Sequence, residues 1–406
     1  MKKEKVDLVP REVRKMNLYD DLVWRGLIKD ISSPAVIEKL NNEKLTLYLG
    51  TDPTADSLHV GHLAVFITVK RLKEAGHNCI LLVGGATGRI GDPRPTAERQ
   101  IIPEEIFEHN LQSLKEQVKV FGCDEVVDNY DWSKDINFID FLRDYGKFFP
   151  VNYMLDKDTV RRRLETGITY TEFSYMLMQA LDFLYLYEEK GCTLQVAGSD
   201  QWGNITAGID LVRRKTGGEV YGFCMPLVLD ENGNKIGKSE GNAVWIDKNK
   251  TSSYDLYQYF VKTADSLVID YLKYFTFLTK EEIEAYEEKV KNEPEKREAG
   301  KRLGFEVVKF LHGEEAAKEA EETSTKVFRG EISVNMPTVE VLNDNNILSI
   351  LVNAGLASSK SEAKRLVEQG GISIANEKIT DANAEITEKE FILQKGKKTI
   401  VKIIIK

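Results

Sequence analysis

The segment from Leu45 to His62 constrains the fold most, because it combines an apolar strand, a polar turn and the beginning of a helix. The strand is predicted by the run LTLYL, and apolar residues at helical spacing predict a helix from about His59 to Glu74. The first N–H groups of a helix have no partner within it and its dipole is positive there, so the turn favours an anion. It lacks both a Walker A lysine and the spacing GxGxxG. We therefore interpret it as a phosphate-binding turn of a different kind.

Strands and helices alternate from Leu45 to about Leu229, which predicts an α/β domain with a mostly parallel sheet and helices on its faces. Strands are predicted in the segments LTLYL, CILLVGG, VVDNYDW, TLQVAG and around CMPLV, and helices at 60–74, 103–121, 170–189 and 201–215. Ligands of such sheets bind beyond the carboxyl ends of the strands. Because polar clusters follow several of these strand ends, we expect a ligand site at that edge.

Two histidines begin the helix of the first segment, in the tetrad HVGH. His59 and His62 are three residues apart, so they share a helix face and can both reach phosphate oxygens. Gly61 allows a flat base to lie close to the backbone, and Asp52 and Thr54 add a carboxylate and a hydroxyl to the turn. Taken alone, the two histidines fit an ordinary helix start equally well.

Two more polar clusters follow along the chain. The glycine-rich stretch at 84–93 ends in Asp92, which is predicted to point toward the strand ends, although a surface loop is the alternative. Tyr175, Gln179 and Asp182 are spaced to lie on one face of an otherwise apolar helix. A carboxylate on such a helix is costly unless something donates to it. A satisfied polar network in the core is the alternative, and we favour a pocket wall for a small polar ligand.

A fourth cluster follows the strand TLQVAG. Gly198, Asp200 and Gln201 are placed there to meet a ribose or a carboxylate. Arg213 and Arg214 come about three helical turns later, where they either face RNA or form an ordinary solvated helix end.

The fifth cluster is a loop with the sequence ENGNKIGKS at 231–239, in which ENGN predicts a hairpin turn. It carries Lys235 and Lys238, flanked by Gly237 and Ser239. A loop with two lysines can fold over a triphosphate and neutralise charge as it develops. A basic surface loop is the alternative.

Together, these motifs resemble those of a known family. HVGH and KIGKS are similar to the HIGH and KMSKS signatures of class I aminoacyl-tRNA synthetases. The site motifs of bacterial tyrosyl-tRNA synthetases resemble LYLGTDPTADSLHVGH, LVGGATGRIGDP, NYDW, FSYMLMQALDF, GSDQWGNITAG and KIGKS. The resemblance covers nearly the whole chain, and it implies a Rossmann-like nucleotide-binding catalytic domain in a homodimeric enzyme.

The resemblance also implies a role for each residue. The phenol hydroxyl of tyrosine would bond to Tyr48 and Asp182, and the other implied tyrosine ligands are Asp92, Tyr175, Gln179 and Gln201. ATP would bring Mg²⁺, and its implied contacts are Gly50, Asp52, Gly198 and Asp200. The implied catalytic groups around the phosphates are Thr54, His59, His62, Lys235, Lys238 and Ser239. The implied tRNA contacts are Arg213, Arg214, Lys360, Lys364 and Arg365.

The implied activity is tyrosine–tRNA ligation in two steps. The tyrosine carboxylate attacks the α-phosphate of ATP, and pyrophosphate leaves. A terminal ribose hydroxyl of tRNA(Tyr) then attacks the tyrosyl-adenylate. The resemblance implies catalysis by positioning and by stabilisation of transition-state charge, with no protein acid, base or nucleophile.

The length of 406 residues predicts more than one domain. We expect a catalytic domain with an N-terminal helical segment, a helical anticodon-side domain, a linker and a small α+β S4-like RNA-binding domain, at 1–250, 251–330, 331–346 and 347–406. The last domain resembles S4 domains, and Ser358 or Ser359 is predicted to cap its second helix. Lys360, Lys364 and Arg365 lie on that helix, where phosphate contact is the expected role and a solvated face the alternative.

The net charge of −9 argues against a protein that is basic throughout, but it leaves room for a local basic face that binds RNA. The four cysteines are far apart with no CxxC, so we expect neither a disulfide nor a protein-bound zinc. The charged N-terminus has no apolar run behind it, and no stretch is long enough to span a membrane. These features predict a soluble cytoplasmic protein.

Three other functions compete with this interpretation. A tryptophanyl-tRNA synthetase shares the implied fold, but Tyr48 and Asp182 suit a phenol hydroxyl. A small-molecule adenylyltransferase also uses an HxGH motif, but it would not need a helical domain and an S4-like tail. A catalytically inactive RNA-binding paralogue belongs to a different class, and the intact HVGH and lysine-loop groups count against it.

Overall fold

The computed structural model describes residues 16–93, 101–239, 242–328, 338–342, 345–375, 377–396 and 399–406. The chain divides into two compact units. The first comprises Met1–Trp245 and Asp270–Leu278, and the second comprises Ile246–Ile269 and Thr279–Lys406. In the described part of the chain, we find no helix that combines the length and the apolar character needed to cross a membrane.

The first unit is built on a six-stranded sheet, which confirms the predicted α/β class. In spatial order its strands are Asp30–Ile31, Tyr221–Met225, Leu194–Gly198, Thr46–Thr51, Asn78–Val83 and Glu125–Asp128. Neighbouring strands are parallel, except that Asp30–Ile31 runs antiparallel to its partner. The carboxyl ends of the five parallel strands therefore meet at one edge of the sheet, as the sequence predicted.

Helices cover this sheet and supply the other side of the site. Those of the first unit are Leu18–Trp24, Ala35–Asn42, Val60–Glu74, Thr87–Ile90, Glu104–Gln117, Tyr130–Ser133, Phe138–Asp144, Val151–Leu155, Asp158–Arg163, Tyr170–Lys190 and Trp202–Thr216, with 3₁₀ turns at Val118–Phe121, Gly146–Phe148 and Ser199–Gln201. The helices predicted at 60–74, 170–189 and 201–215 are confirmed to within a residue. The one predicted at 103–121 changes to a 3₁₀ turn after Gln117.

The last strand of the sheet ends earlier than the sequence suggested. The run CMPLV predicted a strand that included Pro226, but the strand is Tyr221–Met225. Proline has no N–H to donate to a ladder, so it ends the pairing there.

The core of the first unit lies between the sheet and the helix Tyr170–Lys190, which we call the pocket helix. Tyr48 is buried in this core, and its ring lies 5.3 Å from that of Phe183. Such packing fixes the direction of the Tyr48 side chain and therefore the position of its hydroxyl.

The second unit contains a helical part and a small sheet. Its helices are Ser253–Val261, Lys280–Asn292, Glu298–His312, Glu314–Phe328, Ile347–Asn353 and Lys360–Glu368, with a 3₁₀ turn at Pro294–Lys296. The helix Val268–Phe275 has its first two residues in the second unit and the others in the first. A Cβ at Gly304 would lie 2.9 Å from the Tyr257 carbonyl oxygen. Glycine therefore permits the helices Ser253–Val261 and Glu298–His312 to pack closely.

The small sheet contains Glu377–Ile379, Ile372–Ile374, Glu390–Lys395, Thr399–Ile405 and Thr338–Val341, in spatial order. Ser359 caps the helix Lys360–Glu368 by accepting from the Glu362 N–H at 3.2 Å, as predicted. Thr338–Val341 lies within the predicted linker 331–346, but it pairs in parallel with Thr399–Ile405. The alternating TVEV pattern supports this strand. Of the predicted linker, 331–337 and 343–344 lie outside the described residues.

Candidate active site

A cavity of about 430 Å³ opens at the carboxyl edge of the large sheet, within the size range of small-molecule sites. It brings together most of the predicted site residues, namely Tyr48, Gly50, Asp52, Thr54, His59, His62, Asp92, Tyr175, Gln179, Asp182, Gly198, Asp200, Gln201 and Lys235. The side chains of Lys238 and Ser239 lie outside the described part of the structure. The five predicted tRNA-binding residues do not line the cavity.

The inner end of the cavity is lined by Tyr48 and Asp182, two buried polar side chains that could each bond to a ligand hydroxyl. Tyr48 is only 1% exposed, and its Oη has no hydrogen-bond partner among the described residues. Asp182 is 2% exposed, and it accepts hydrogen bonds from Asn129 Nδ2 and Trp132 Nε1, both at 3.0 Å. A buried hydroxyl without a partner is costly, so a ligand polar group at this end would complete its bonding.

Burial also changes the acidity of this end. It raises the pKa of the Asp182 carboxyl to about 8, against the two donors that lower it, while the Asp52 and Asp128 carboxylates raise it further. Burial likewise raises the pKa of the Tyr48 phenol well above its usual value. Tyr48 therefore presents a neutral hydroxyl beside a carboxyl that titrates near neutral pH.

Gln195 is a cavity residue that the sequence did not single out. It lies opposite Tyr48 on the neighbouring strand and is 2% exposed, and its Oε1 has no partner in the described part of the chain. The feature of the sequence that could have indicated Gln195 is that a polar residue interrupts the apolar strand TLQVAG. A buried side-chain amide usually has a partner, so Gln195 is a further candidate ligand at this end.

Two carboxylates form the middle of the cavity. Asp52 accepts from Tyr175 Oη at 2.8 Å and from Thr87 Oγ1 at 2.7 Å. Asp92 accepts from Gln201 Nε2 at 2.8 Å. Burial, with the Asp52 charge, raises the pKa of Tyr175 well above its usual value, so it remains a donor. Two carboxylates in a partly enclosed site suit a ligand cation such as an ammonium group.

The HVGH histidines form the outer end through reciprocal capping of the helix Val60–Glu74. His59 Nδ1 accepts from the Gly61 N–H at 3.1 Å, while the His59 N–H donates to His62 Nδ1 at 3.2 Å. Because each Nδ1 is an acceptor, the proton of each neutral ring lies on Nε2. Both imidazoles thus present N–H donors at a helix N-terminus, an arrangement suited to phosphate oxygens.

The loop 229–239, which we call the lysine loop, lies against this helix start. An antiparallel bridge joins Leu229 to Lys235, which confirms the predicted hairpin. Lys235 Nζ lies 3.1 Å from Asp200 Oδ2, and both side chains are largely exposed. Gly237 has φ +98°, and a Cβ there would lie 2.7 Å from the Gly61 backbone nitrogen. Only glycine fits this approach of the lysine loop to HVGH.

The predicted tRNA-binding residues are exposed cations that do not line the cavity. Arg213 and Arg214 lie in the last turn of Trp202–Thr216, where Arg213 pairs with Asp210 at 2.7 Å. Lys360, Lys364 and Arg365 are exposed on the helix Lys360–Glu368. Their exposure leaves them accessible to phosphate groups, and tRNA contact stays a prediction for all five.

Two family profiles match the chain. Residues 40–329 match the family described as tRNA synthetases class I (W and Y). Residues 330–403 match the C-terminal domain of SYY-like tyrosine–tRNA ligases.

Relatives match over nearly the full length. The tyrosine–tRNA ligase of Leuconostoc citreum is 46% identical over 407 residues, which cover 94% of this chain and 98% of the relative. Tyrosine–tRNA ligase 1 of Bacillus subtilis is 46% identical over 412 residues, with the same coverage.

Solved structures agree with these relatives. A C-terminally truncated mitochondrial tyrosyl-tRNA synthetase from Aspergillus nidulans has a TM-score of 0.71 and 32% identity, covering 78% of this chain and 96% of its own. A tryptophanyl-tRNA synthetase from Encephalitozoon cuniculi has a TM-score of 0.55 and 16% identity, covering 74% of this chain and 87% of its own. The latter shares the fold.

Proposed function

The chain belongs to the class I aminoacyl-tRNA synthetases of the tryptophan and tyrosine group and ligates tyrosine to tRNA, and from this premise we propose how its residues do so. The inner end of the cavity takes the tyrosine side chain. The observation that carries this assignment is the buried Tyr48 hydroxyl, which lacks a partner among the described residues and lines the same cavity as Asp182. The substrate phenol donates to Asp182 and accepts from Tyr48, so the Tyr48 hydroxyl gains its missing partner and Asp182 gains a further donor.

The middle of the cavity holds the charged end of tyrosine. Asp92, Tyr175 and Gln179 bind the α-ammonium group, and Gln201 lies near the carboxylate. Asp52 lies between the ammonium group and the α-phosphate of ATP. The support is the hydrogen-bonded pairing of Asp52 with Tyr175 and of Asp92 with Gln201 at the cavity wall. This arrangement fixes the tyrosine carboxylate as the attacking group.

The outer end holds ATP. Gly50 and Gly198 lie against the nucleotide, Asp200 binds its ribose, and His62 lies near the ribose and adenine. Thr54 and His59 bind the γ-phosphate. Pyrophosphate leaves under the lysine loop, where Lys235, Lys238 and Ser239 close over it and we assign charge neutralisation to the two lysines. The lysine charges count most as the α-phosphate bond breaks.

Mg²⁺ enters this scheme as part of the ATP substrate. Among the described residues, no group of three or more histidine, cysteine, aspartate or glutamate side chains comes together to hold a metal ion. The phosphates of ATP supply oxygen ligands of the kind that Mg²⁺ prefers. We propose that the ion arrives on these phosphates.

The remaining parts of the chain serve tRNA. We propose that 1–250 is the catalytic domain with its N-terminal helical segment, 251–330 the helical anticodon-side domain, and 347–406 the S4-like domain. The tRNA contacts are Arg213 and Arg214 in the catalytic domain and Lys360, Lys364 and Arg365 in the S4-like domain. We assign the activity to the cytoplasm, and the four free cysteines are compatible with its reducing conditions.

Amino-acid-dependent exchange between ATP and pyrophosphate tests the proposed site. We expect strong exchange with tyrosine and only a trace, orders of magnitude weaker, with tryptophan or phenylalanine, because the Tyr48 hydroxyl keeps no partner and Asp182 gains no further donor when the substrate hydroxyl is missing. Strong exchange with tryptophan would contradict the assignment of the phenol site. A folded protein that catalyses no exchange would instead indicate an RNA-binding function without catalysis.

We also propose that the enzyme is a homodimer. Large apolar side chains of the first unit are exposed between residues 101 and 170, among them Ile101, Phe138, Ile139, Val151 and Tyr170, each more than half exposed. We propose that these side chains contribute to one face, because a contiguous exposed apolar patch marks an interaction site and a two-fold axis lets such a face bind a second copy of itself.

Ile139→Glu tests this surface. In a two-fold interface the substitution would bring two unpaired carboxylates into an apolar contact. We expect sedimentation at micromolar concentration to show a dimer for the wild type and a monomer for the variant. Val23→Glu is the matched control, because Val23 is an exposed apolar residue elsewhere in the same unit. A monomeric wild type, or an Ile139→Glu dimer of unchanged affinity, would contradict the proposal.

A further inference from the structure

Asp128 joins three segments behind the tyrosine pocket. It is 7% exposed and ends the strand Glu125–Asp128. Its Oδ1 accepts from the Gly85 N–H at 3.1 Å and the Tyr130 N–H at 2.8 Å, and its Oδ2 accepts from Lys115 Nζ at 2.6 Å. One carboxylate thus connects three segments: residues 84–88, which we call the glycine loop; residues 129–132, which we call the NYDW turn; and the helix Glu104–Gln117.

The NYDW turn carries the two groups that hold Asp182. Asn129 is fully buried, and its Nδ2 donates to Asp182 Oδ2 at 3.0 Å and to Thr87 Oγ1 at 2.9 Å. The Trp132 indole donates to Asp182 Oδ1 at 3.0 Å while its ring stacks on Tyr185, with centroids 4.3 Å apart. The orientation of the Asp182 carboxylate therefore depends on where this turn lies.

The packing around Asp128 leaves little freedom for its carboxylate to move. A Cβ added at Gly85 would come 2.7 Å from Asp128 Cγ, so the glycine loop lies directly against it. Asn129 Oδ1 accepts from the Ala86 N–H at 2.7 Å, which ties the same loop to the turn a second time. The Lys115 ammonium is the cation paired with Asp128, and the Lys115 side chain is about a quarter exposed.

We propose that Lys115 and Asp128 form a positioning pair for recognition of the tyrosine hydroxyl. The Asp128 carboxylate holds the glycine loop and the NYDW turn together, and the Lys115 ammonium neutralises that carboxylate beside Asp182. Together they keep Asn129 and Trp132 in place, so that Asp182 faces the substrate phenol. This inference rests on the proposed function, because it assigns the phenol to Asp182.

Lys115→Met removes the cation while keeping a side chain of similar length. The Asp128 charge is then left without its partner in a nearly buried place, and the bonds to Gly85 and Tyr130 weaken as the carboxylate turns toward water. We expect the KM for tyrosine to rise about tenfold, which corresponds to the loss of one well-oriented hydrogen bond. Both kcat and the KM for ATP should stay nearly unchanged. The KM for phenylalanine, which has no hydroxyl, should stay constant, so the tyrosine-to-phenylalanine ratio of kcat/KM falls about tenfold.

Matched variants separate positioning from a general structural effect. Lys119 forms an exposed pair with Glu116 about one turn further on, so Lys119→Met should leave the ratio unchanged. Lys115→Arg restores a cation and should restore most of the ratio. In Lys115→Met combined with Asp128→Asn, the Asn Oδ1 can still accept from Gly85 and Tyr130 without a buried charge. We expect the tyrosine-to-phenylalanine ratio of kcat/KM in this double variant to lie between those of the wild type and Lys115→Met. If Lys115→Met does not fold, a ratio below that of the wild type in the double variant still tests the proposal.

The experiment is pyrophosphate exchange with tyrosine and with phenylalanine over a range of concentrations, with thermal unfolding of each variant. A lowered unfolding temperature with an unchanged ratio would overturn the positioning role, as would an equal loss in Lys119→Met. A wild type without tyrosine-dependent exchange would instead contradict the proposed function. The two failures are therefore distinguishable in one data set.

Discussion

Asp182→Asn is expected to lower kcat/KM for tyrosine in pyrophosphate exchange by about a thousandfold. Both oxygens of Asp182 already accept hydrogen bonds, from Asn129 and Trp132. An asparagine has one oxygen and one NH₂ group and carries no charge, so the substrate phenol would lose its charged acceptor and be buried without a partner. A buried hydroxyl left unpaired costs about 1–3 kcal/mol, and a lost bond from the phenol to a charged acceptor costs about 1.5–3 kcal/mol. Their sum, about 4 kcal/mol, corresponds to the expected factor.

Asp131→Asn is the matched control, because Asp131 is an exposed aspartate of the same turn. It should retain exchange within about threefold, the range of an ordinary surface substitution. Near-normal kcat/KM for tyrosine in a folded Asp182→Asn variant would contradict the assignment of the phenol to Asp182. Circular dichroism and thermal unfolding establish that both variants fold.

The pH dependence of tyrosine binding gives an independent check of Asp182. Its folded-state pKa of about 8 lies above the usual value of 3.8, so the free enzyme is largely protonated there at pH 7. The carboxylate form is the one that accepts from the phenol, so the apparent Kd for tyrosine should fall by up to about tenfold per pH unit until pH 8 and then level off. The same shift means that folding is favoured by protonation of Asp182, and this contribution is lost as pH rises from about 4 to about 8.

Much of the site was predictable because local periodicity and chain order determine it. A strand, a polar turn and a helix place Tyr48, Asp52 and His59 in sequence, and parallel strands bring their carboxyl ends together. Helical spacing was enough to put Tyr175 and Asp182 on one face of the pocket helix. These inferences need only the periods of helices and strands and the right-handed crossover.

The missing parts are contacts between distant segments. Asn129 and Trp132 donate hydrogen bonds to Asp182 although they lie 53 and 50 residues away from it in the chain. Gln195 looked like any polar residue in a short strand, and only its burial beside Tyr48 distinguishes it. The two-residue strand Asp30–Ile31 is too short to have a pattern, and tertiary pairing alone defines it. The proposed phenol site therefore depends on contacts between distant segments that local sequence patterns do not encode.

Gly237→Ala should lower the kcat of adenylate formation about a hundredfold while the Kd for tyrosine stays constant. Gly237 has φ +98°, a conformation that L residues rarely adopt. A Cβ there would also meet the His59 ring and lie 2.7 Å from the Gly61 backbone nitrogen. Backbone strain of about 1–3 kcal/mol, with the added clash, is enough to displace the lysine loop from HVGH. A cost of about 3 kcal/mol corresponds to the expected loss.

The tyrosine Kd should not change, because the groups assigned to tyrosine lie on the sheet, the pocket helix, the glycine-rich stretch 84–93 and the 3₁₀ turn Ser199–Gln201, all outside the lysine loop. Gly233→Ala separates strain from contact, since Gly233 also has a positive φ, of +78°, but no atom lies within 4 Å of a Cβ placed there. It should retain kcat within about threefold, because only local hairpin strain is added.

Single-turnover formation of tyrosyl-adenylate measures kcat, and equilibrium dialysis of tyrosine measures its Kd. If Gly237→Ala and Gly233→Ala behave alike, close contact of the lysine loop with His59 and Gly61 is not what activates ATP. If only Gly237→Ala lowers kcat, the side chains that stabilise the leaving pyrophosphate depend on that contact. Glycine is then required at position 237 because no other residue permits the lysine loop to approach His59 and Gly61 so closely.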